Sequence, residues 1–311
     1  MLIVFFHPGK AILPEIAAYQ HYFNALGWDV IVAQPDDQIP MHIDVEWHFM
    51  GTGGTRRRPG SLLIHEYASA SVPPFTSIKD SCKRLFNSTP SIRMFLNEYV
   101  RKKISFDDDI PFCYRDMGID ESFLNTQHNA TRKDFDFIHC GSIHLLLHFN
   151  KLLHAFTKAP LRFNNIIIAG DYPMSERKRW MRYSNIEFAG RLSRDKVLEY
   201  MTRSRYGINY RPDREPYVFQ TSTKTLEYYA CKLPVLSTNS QWLNDFNQQH
   251  GGNYYCLRDD LSNLNLQSIK EFQFSFADVS DITWENQIKR SGIEDMIEKA
   301  LQISRPHHPA R

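Results

Sequence analysis

Cysteines and long apolar runs are scarce in this chain. Its 311 residues include five scattered cysteines, with no C-x-x-C pair: Cys82, Cys113, Cys140, Cys231 and Cys256. This pattern excludes a disulfide framework and a zinc knuckle. No apolar run approaches the ~20 residues that cross a bilayer, and the apolar opening is too short for a signal peptide before Pro8-Gly9 interrupts it. We therefore expect a cytoplasmic protein, with any membrane contact peripheral and at the inner face.

Neither sign of charge dominates. The 37 lysines and arginines nearly balance the 35 acidic residues, for a formal net charge of +2. Such a chain has no global field of the kind that nucleic-acid-binding proteins use, so nucleic acid is not an expected partner. Basic clusters at Arg56–Arg58, at Arg101–Lys103 and between Arg177 and Arg182 are either solvated faces or sites for phosphates or anionic lipid headgroups.

Apolar strand-like runs alternate with helical spacing along the chain, which predicts α/β domains. A chain of this length favours two of them. We predict a first domain over residues 1–132, a second over 133–283, and a C-terminal helix over 284–311 that could pack back on the first. The first domain's predicted strands are Leu2 to Phe6, Trp28 to Ala33, Val45 to Met50, Ser61 to His65 and Arg84 to Asn87. The second domain's are Phe135 to Cys140, Asn165 to Ala169, Ile186 to Ala189, Tyr206 to Tyr210 and Pro234 to Ser237.

One predicted strand–loop–helix segment contains most of the polar residues that could bind a ligand. Thr221-Ser222-Thr223 opens a predicted helix over Ser222 to Cys231, and free amides at such a helix start suit a phosphate. Lys224 can add a full positive charge to a diphosphate. Glu227, one turn further along, can accept hydrogen bonds from ribose hydroxyls. The plainer interpretation is an ordinary capped helix in a Rossmann-like domain.

At these residues the chain resembles the retaining GT-B glycosyltransferases of family 4. The stretch from Lys224 to Leu236 is similar to their donor-site helix and the strand that follows it. Further similar segments are Phe188-Ala-Gly-Arg (the loop near the nucleotide base), Phe137 to Ser142 (the first strand and glycine loop), Met117-Gly-Ile-Asp (the interdomain signature), Leu63-Ile-His-Glu (a strand whose histidine lies near the donor sugar) and Pro8-Gly9-Lys10 (a loop near donor phosphate and acceptor).

The resemblance implies a GT-B fold, with two doubly wound Rossmann-like domains facing a cleft. It implies transfer of a hexose from a UDP- or GDP-linked sugar to a carbohydrate or lipid-linked glycan acceptor, in synthesis of bacterial-type surface polysaccharides or glycoconjugates. Retention of anomeric configuration is implied too, with no metal and no cofactor. Together with the helix-start argument it assigns catalytic roles to His65, Lys224 and Glu227. The donor-binding residues are Gly9, Gly141, Ser142, Gly190, Arg191, Arg211, Thr221, Ser222, Thr223, Lys224 and Glu227.

The chain departs from the family pattern at the donor site. Of the family's two glutamates, Glu227 matches the second and Phe219 replaces the first, while Ser142 and Leu147 stand where an arginine and a lysine normally follow the glycine loop. These differences motivate two alternatives: a non-catalytic nucleotide-sugar-binding subunit of a transferase complex, and a GT-B nucleotide-sugar epimerase.

Two residue groups could bind a metal. Asp107-Asp108-Asp109 precedes an apolar strand instead of ending one, so we interpret it as a solvated turn. His144 and His148 lie one helical turn apart with His139 and His154 nearby, but no acidic partner accompanies them. We predict no metal site.

Overall fold

The structure is a computed structural model that describes residues 1–7, 13–34, 37–49, 58–125, 132–141, 143 and 146–304. It divides the chain into two compact units. The first consists of Met1–Gly118 and the segment from Ile282 onward, and the second of Ile119–Asp281. Gly9, Ser142 and His144, which the sequence analysis singled out, lie outside the described residues.

Strands and helices alternate along both units. The chain begins with β1 (Leu2–Phe6), α1 (Pro14–Ala25), β2 (Asp29–Ala33), β3 (Val45–Phe49), β4 (Leu62–Tyr67), α2 (Thr76–Phe86), β5 (Ile92–Phe95), α3 (Glu98–Ile104) and β6 (Phe112–Tyr114). The second unit contains α4 (Glu121–Leu124), β7 (Phe135–Cys140), α5 (Leu146–Ala155), a 3-10 turn (Leu161–Phe163), β8 (Ile166–Ala169), α6 (Met174–Trp180), β9 (Ile186–Gly190), α7 (Arg194–Thr202), β10 (Ser204–Asn209), α8 (Thr223–Ala230), β11 (Val235–Thr238), α9 (Gln241–His250), β12 (Tyr255–Leu257) and α10 (Leu266–Glu271). The chain then returns to the first unit with α11 (Trp284–Ser291) and α12 (Ile293–Ser304).

Each unit is built on a six-stranded sheet whose neighbouring strands are parallel. The strand order is β2-β1-β3-β4-β5-β6 in the first unit and β12-β11-β10-β7-β8-β9 in the second. Strand order reverses between β1 and β3 in one sheet and between β7 and β10 in the other. Open α/β sheets bind ligands at such switch points, outside the carboxyl ends of the strands. The predicted doubly wound α/β architecture is confirmed in both units.

The C-terminal helices complete the core of the first unit. Ile288, Ile293 and Ile297 are buried in the same apolar cluster as the strand residues Ile3 and Phe5. Gly118 makes this return possible, because a Cβ at that position would lie 2.6 Å from the Trp284 Cα. The single predicted C-terminal helix is broken by Gly292, whose φ of 64° ends α11.

Two further features differ from the sequence-based prediction. The second unit begins at Ile119 instead of residue 133, since α4 packs on α8 within that unit. The predicted strand from Arg84 to Asn87 is wrong: its first three residues close α2, and β5 begins at Ile92. The adjacent apolar residues Leu85 and Phe86 suggested a buried strand, but both side chains are exposed.

Candidate functional site

The switch point of the second sheet is fixed by Tyr228 of α8. Its hydroxyl accepts a hydrogen bond from the Cys140 amide at 3.1 Å and lies 3.4 Å from the carbonyl oxygens of both Ile138 and Ile208. A side chain at Gly207 would bring a Cβ within 2.6 Å of the Tyr228 ring, so glycine is required there. These contacts hold α8 directly behind the carboxyl ends of β7 and β10.

Lys224 lies at this switch point, in the first turn of α8. Its Nζ is 3.5 Å from Nε2 of His139 on β7. It also lies beside Gly141, where a Cβ would be 3.8 Å from the Lys224 Nζ and where the backbone φ is +105°. The structure therefore brings together Gly141 and Lys224, two residues that the sequence analysis assigned to the donor site.

His139 presents a hydrogen-bond acceptor to Lys224. Its Nδ1 is 3.1 Å from the Ile208 carbonyl oxygen. A carbonyl only accepts, so this nitrogen bears the proton. Burial and the Lys224 charge hold the pKa of His139 well below its usual range, so the ring is neutral. Nε2 is then unprotonated and can accept from the Lys224 ammonium.

The cations at this site form no ion pair with a carboxylate of the described residues. Burial, followed by the charge of Arg211, lowers the pKa of Lys224 to about 8. Burial lowers the pKa of Arg211 to about 10. Within the described part of the chain no carboxylate forms an ion pair with either side chain. Two poorly solvated, unpaired cations make a site that a bound anion can stabilise.

Arg211 is held by its backbone at the end of β10. Its amide donates to Thr238 Oγ1 at 3.1 Å, and the same hydroxyl donates to the Arg211 carbonyl at 2.6 Å. The guanidinium lies 5.6 Å from the centre of the Tyr217 ring. Thr238, at the end of β11, therefore fixes the backbone position of Arg211.

The N-cap side chain of α8 does not cap the helix. Ser222 is the N-cap residue, but it makes no side-chain hydrogen bond to the helix amides. Its hydroxyl instead accepts from the Thr225 hydroxyl at 3.0 Å. Thr221 and Ser222 are buried, and Thr223 is half-buried. A helix start whose N-cap side chain leaves the first amides uncapped, next to Lys224, suits a phosphate.

Glu227 already has a partner. Its Oε1 accepts from Arg194 Nη2 at 3.1 Å, and Arg194 Nε lies 3.8 Å from Asp120 Oδ2. The Arg194 guanidinium also stacks over Phe123 at 4.9 Å. Burial raises the pKa of Glu227, against the opposing effect of Arg194. A ribose hydroxyl can only share this carboxylate with Arg194, so the ribose role of Glu227 stays a prediction.

The remaining predicted residues of the second unit lie apart from these contacts. Gly190 ends β9 with a φ of +70° and has open space where a side chain would be. Arg191 is exposed. His148, from the considered metal pair, stacks on Tyr210 at 4.1 Å. No group of three or more metal-binding side chains occurs among the described residues.

In the first unit the placement of His65 at a strand end is wrong. The strand β4 continues to Tyr67, and the His65 side chain is fully buried, at 0% exposure. Burial, His48 and Arg93 lower the pKa of His65 to about 3, so the ring stays neutral. Asp108, from the considered aspartate run, forms a two-pronged ion pair with Arg93.

Sequence reasoning missed two residues of the site. His139 was considered only as a neighbour of a metal pair, and nothing local indicates its contact with Lys224, 85 residues away. Arg194 did leave a signal. It opens α7 directly after the N-cap Ser193, where a positive charge opposes the helix dipole unless a carboxylate compensates for it.

No helix among the described residues is both long and apolar enough to cross a membrane.

The comparisons with known proteins concern the fold and the second unit. Residues 149–261 match a family model described as glycosyl transferase-like. This segment lies within the second unit and contains β10, α8 and β11. No curated protein matches the chain.

Solved structures share the fold over nearly the whole chain. The glycosyltransferase AviGT4, involved in avilamycin A biosynthesis, is 14% identical with a TM-score of 0.56, and the alignment covers 98% of this chain and 97% of that one. HepE from Anabaena, in complex with UDP-glucose, is 11% identical with a TM-score of 0.59, over 98% and 99% of the two chains. The UDP-GlcNAc 2-epimerase of Methanocaldococcus jannaschii is 8% identical with a TM-score of 0.51, over 96% and 99%. The chain therefore has the GT-B fold, and its residues 149–261 are similar to glycosyl transferase-like proteins.

Proposed function

We propose that this protein is a glycosyltransferase that binds a nucleotide-sugar donor at the switch point of its second unit. The observation that carries the proposal is the pair Lys224 and Arg211, two poorly solvated cations beside the start of α8 that form no ion pair with any carboxylate in the described part of the chain. A diphosphate supplies the missing negative charge. The first-turn amides of α8 can bind it from one side and the Lys224 ammonium from the other.

The same groups suit the chemistry of transfer. Breaking the bond between the anomeric carbon and the diphosphate oxygen leaves a nucleoside diphosphate with growing negative charge. Lys224, held by His139, and the α8 amides are fixed in place before this charge develops, so they stabilise the transition state more than the ground state. The chain's own cations thus support a metal-independent reaction.

The finer features of the proposal follow the family resemblance. The donor is a UDP- or GDP-linked hexose, and the acceptor is a glycan, free or lipid-linked, in synthesis of surface polysaccharides or glycoconjugates at the cytoplasmic side of a membrane. Retention of configuration is proposed on resemblance alone, since Phe219 replaces the family's first glutamate. Glu227, through its link to Arg194, is proposed to position the ribose.

A panel of UDP- and GDP-hexoses tests the proposal. Release of nucleoside diphosphate that requires an acceptor glycan, and that continues in EDTA, is the expected result. Loss of turnover in EDTA with recovery in manganese would overturn metal independence. The control is Lys196→Ala, which removes an exposed lysine of α7 in the same unit.

The two alternatives give different results in the same assay. An epimerase, an activity also found on this fold, changes the sugar of the donor without an acceptor, which NMR of the recovered nucleotide sugar detects. A non-catalytic subunit binds the donor and leaves it intact. Either result would replace the transferase proposal.

A further inference from the structure

One cation of the proposed nucleotide site has no partner in the reaction described so far. The first-turn amides of α8 and the Lys224 ammonium bind the diphosphate in that proposal, and Arg211 remains. Burial lowers the pKa of Arg211 to about 10, so the guanidinium is poorly solvated but still charged at neutral pH. A buried cation of this kind is stable only beside a negative group, and none of the described carboxylates forms an ion pair with it.

Arg211 is anchored on the side of β10 that faces away from the Lys224 contacts. In the second sheet β10 lies between β11 and β7. The Lys224 Nζ is next to His139 of β7, whereas the Arg211 backbone is hydrogen-bonded to Thr238 at the end of β11. If the diphosphate binds Lys224, a group that extends from it toward β11 meets Arg211.

The segment that joins β10 to α8 provides a second hydrogen-bond donor. The Arg211 guanidinium lies in this segment, 5.6 Å from the centre of the Tyr217 ring. Gln220, which precedes α8, is buried with 7% exposure, and its amide nitrogen has no hydrogen-bond partner among the described residues. An amide nitrogen and a guanidinium only donate. Arg211 and Gln220 are therefore both suited to a group that accepts.

Acidic side chains are scarce in the same part of the chain. From Ser204 to Leu226 the only acids are Asp213 and Glu215, and both are exposed to water. Phe219, directly before Gln220, is half-buried and carries no charge. The segment therefore offers positive charge and donors, with little that would repel a second anionic group beside the diphosphate.

A carboxylate on the sugar matches these features better than a hydroxyl. A neutral hydroxyl gives the buried guanidinium no counter-charge. A carboxylate can accept two parallel hydrogen bonds from an arginine, and these are shorter and stronger than bonds between neutral groups. Its remaining lone pairs can accept from an amide nitrogen such as that of Gln220. Hexuronic acids, which are hexoses oxidised at C6, carry such a carboxylate.

We infer that Arg211 and Gln220 bind a carboxylate of the donor sugar, so that the donor is a nucleotide-linked hexuronic acid. This inference rests on the proposed function and narrows its donor from hexoses in general to acidic ones. Lys224 and the α8 amides keep their place at the diphosphate.

Isothermal titration calorimetry of the full chain tests the inference with UDP-glucuronate and UDP-glucose, which differ only in carboxylate against hydroxymethyl. We expect UDP-glucuronate to bind about tenfold more tightly or better, because it adds charge-assisted hydrogen bonds. Equal or weaker binding of UDP-glucuronate would overturn the inference.

UDP alone separates this inference from the proposed function. If UDP binds and the two sugars do not differ, the nucleotide site stands and the carboxylate site is wrong. If the chain binds GDP in place of UDP, GDP-mannuronate and GDP-mannose make the same comparison. If it binds neither nucleotide, the proposed function fails and the inference fails with it.

Variants assign the preference to these residues. Arg211→Gln should weaken UDP-glucuronate by about tenfold or more and UDP-glucose by less than about threefold. Phe219→Glu places a carboxylate next to Gln220 and should weaken UDP-glucuronate by about tenfold or more through like-charge repulsion, with UDP-glucose little affected. The matched control is Arg214→Gln, which removes an exposed arginine of the same segment and should retain the preference.

Two results would contradict the inference at the level of single residues. If Arg211→Gln weakens UDP itself as much as UDP-glucuronate, the guanidinium binds the diphosphate and the inference is wrong. Thermal melting shows whether each variant is folded. If Arg211→Gln does not fold, Phe219→Glu still decides, because an unchanged preference for UDP-glucuronate in that variant would show that the sugar carboxylate is not bound here.

Discussion

The two units share one architecture and arrange their buried charges in opposite ways. In the first, Arg115 is fully buried and pairs with Glu66, while its Nε donates to the Tyr19 hydroxyl at 2.9 Å and its Nη2 lies 3.5 Å from Glu15. In the second, Lys224 and Arg211 have no such carboxylates among the described residues. A buried charge with a partner in its own unit therefore serves structure, whereas an unpaired one is available to a ligand.

The pKa shifts have the same pattern. Nearby Glu66, Tyr19 and Glu15 raise the pKa of Arg115 well above its usual range, despite the opposing effect of burial. The pKa of Lys224 falls to about 8 because burial and the charge of Arg211 outweigh the smaller opposing effects of Cys140 and Glu227. A bound diphosphate would give Lys224 the partner that Arg115 already has.

Breaking the Arg115 cluster should have the largest effect. Arg115→Leu leaves Glu66 buried without its cation, which typically costs about 3–5 kcal/mol of stability. Urea unfolding of wild type and variant measures the difference. Protein that remains folded should bind UDP with wild-type affinity. A loss of under about 1 kcal/mol would show that the cluster is not what holds these elements together.

Removing Lys224 should affect function and leave stability intact. Lys224→Ala should lower kcat/KM for the donor by about 100-fold or more, because it deletes a fixed charge that stabilises the leaving diphosphate. Steady-state kinetics measure the loss, and unchanged thermal melting excludes a folding defect. Wild-type kinetics in a well-folded variant would remove Lys224 from the mechanism.

The pH dependence should reveal Lys224 directly. Lys224 is protonated below its pKa of about 8. Donor kcat/KM, which reports the free enzyme, should therefore fall as the pH rises through 8, by up to about tenfold per pH unit. The corresponding fall in kcat should occur at higher pH, because bound diphosphate raises the pKa of Lys224. The arginine in Lys224→Arg keeps its charge at this pH. If kcat/KM of that variant still falls through pH 8, the fall does not come from Lys224.

His139 should act through Lys224, with a smaller effect. His139→Gln places an amide oxygen near the Nε2 position and can still accept from Lys224. His139→Asn keeps a donor toward the Ile208 carbonyl and loses that acceptor. We expect His139→Asn to lower kcat/KM by about tenfold and to shift the pH at which kcat/KM falls. His139→Gln should remain close to wild type. Equal losses in both variants would indicate that His139 only supports the fold.

Local patterns were enough to predict much of the second unit. The predicted strands and the helix opened by Thr221 to Thr223 correspond to β7 through β11 and α8, because buried parallel strands form continuous apolar runs bounded by turns. Gly141 and Lys224 were assigned to one site from motif position, and the fold places them side by side.

Contacts between distant segments were beyond reach. Arg115 meets Tyr19 across 96 residues and Glu66 across 49, and nothing near any of them indicates the pairing. The end of α2 misled the strand prediction for a related reason, since tertiary packing decides which face of a helix is buried, and here Asp80 and Lys83 are buried while Leu85 and Phe86 are exposed. His65 lay in a strand that continues past the predicted end, and so its burial was missed.

Hydrogen exchange with and without UDP tests most directly whether the unpaired cations of the second unit bind the nucleotide. We expect UDP to slow exchange in residues 186–232, which include β9, Arg211 and α8, more than in residues 1–60 of the first unit. Lys224→Ala should reduce that protection. Equal protection of the two segments, or stronger protection of residues 1–60, would contradict the assignment of the nucleotide to the second unit.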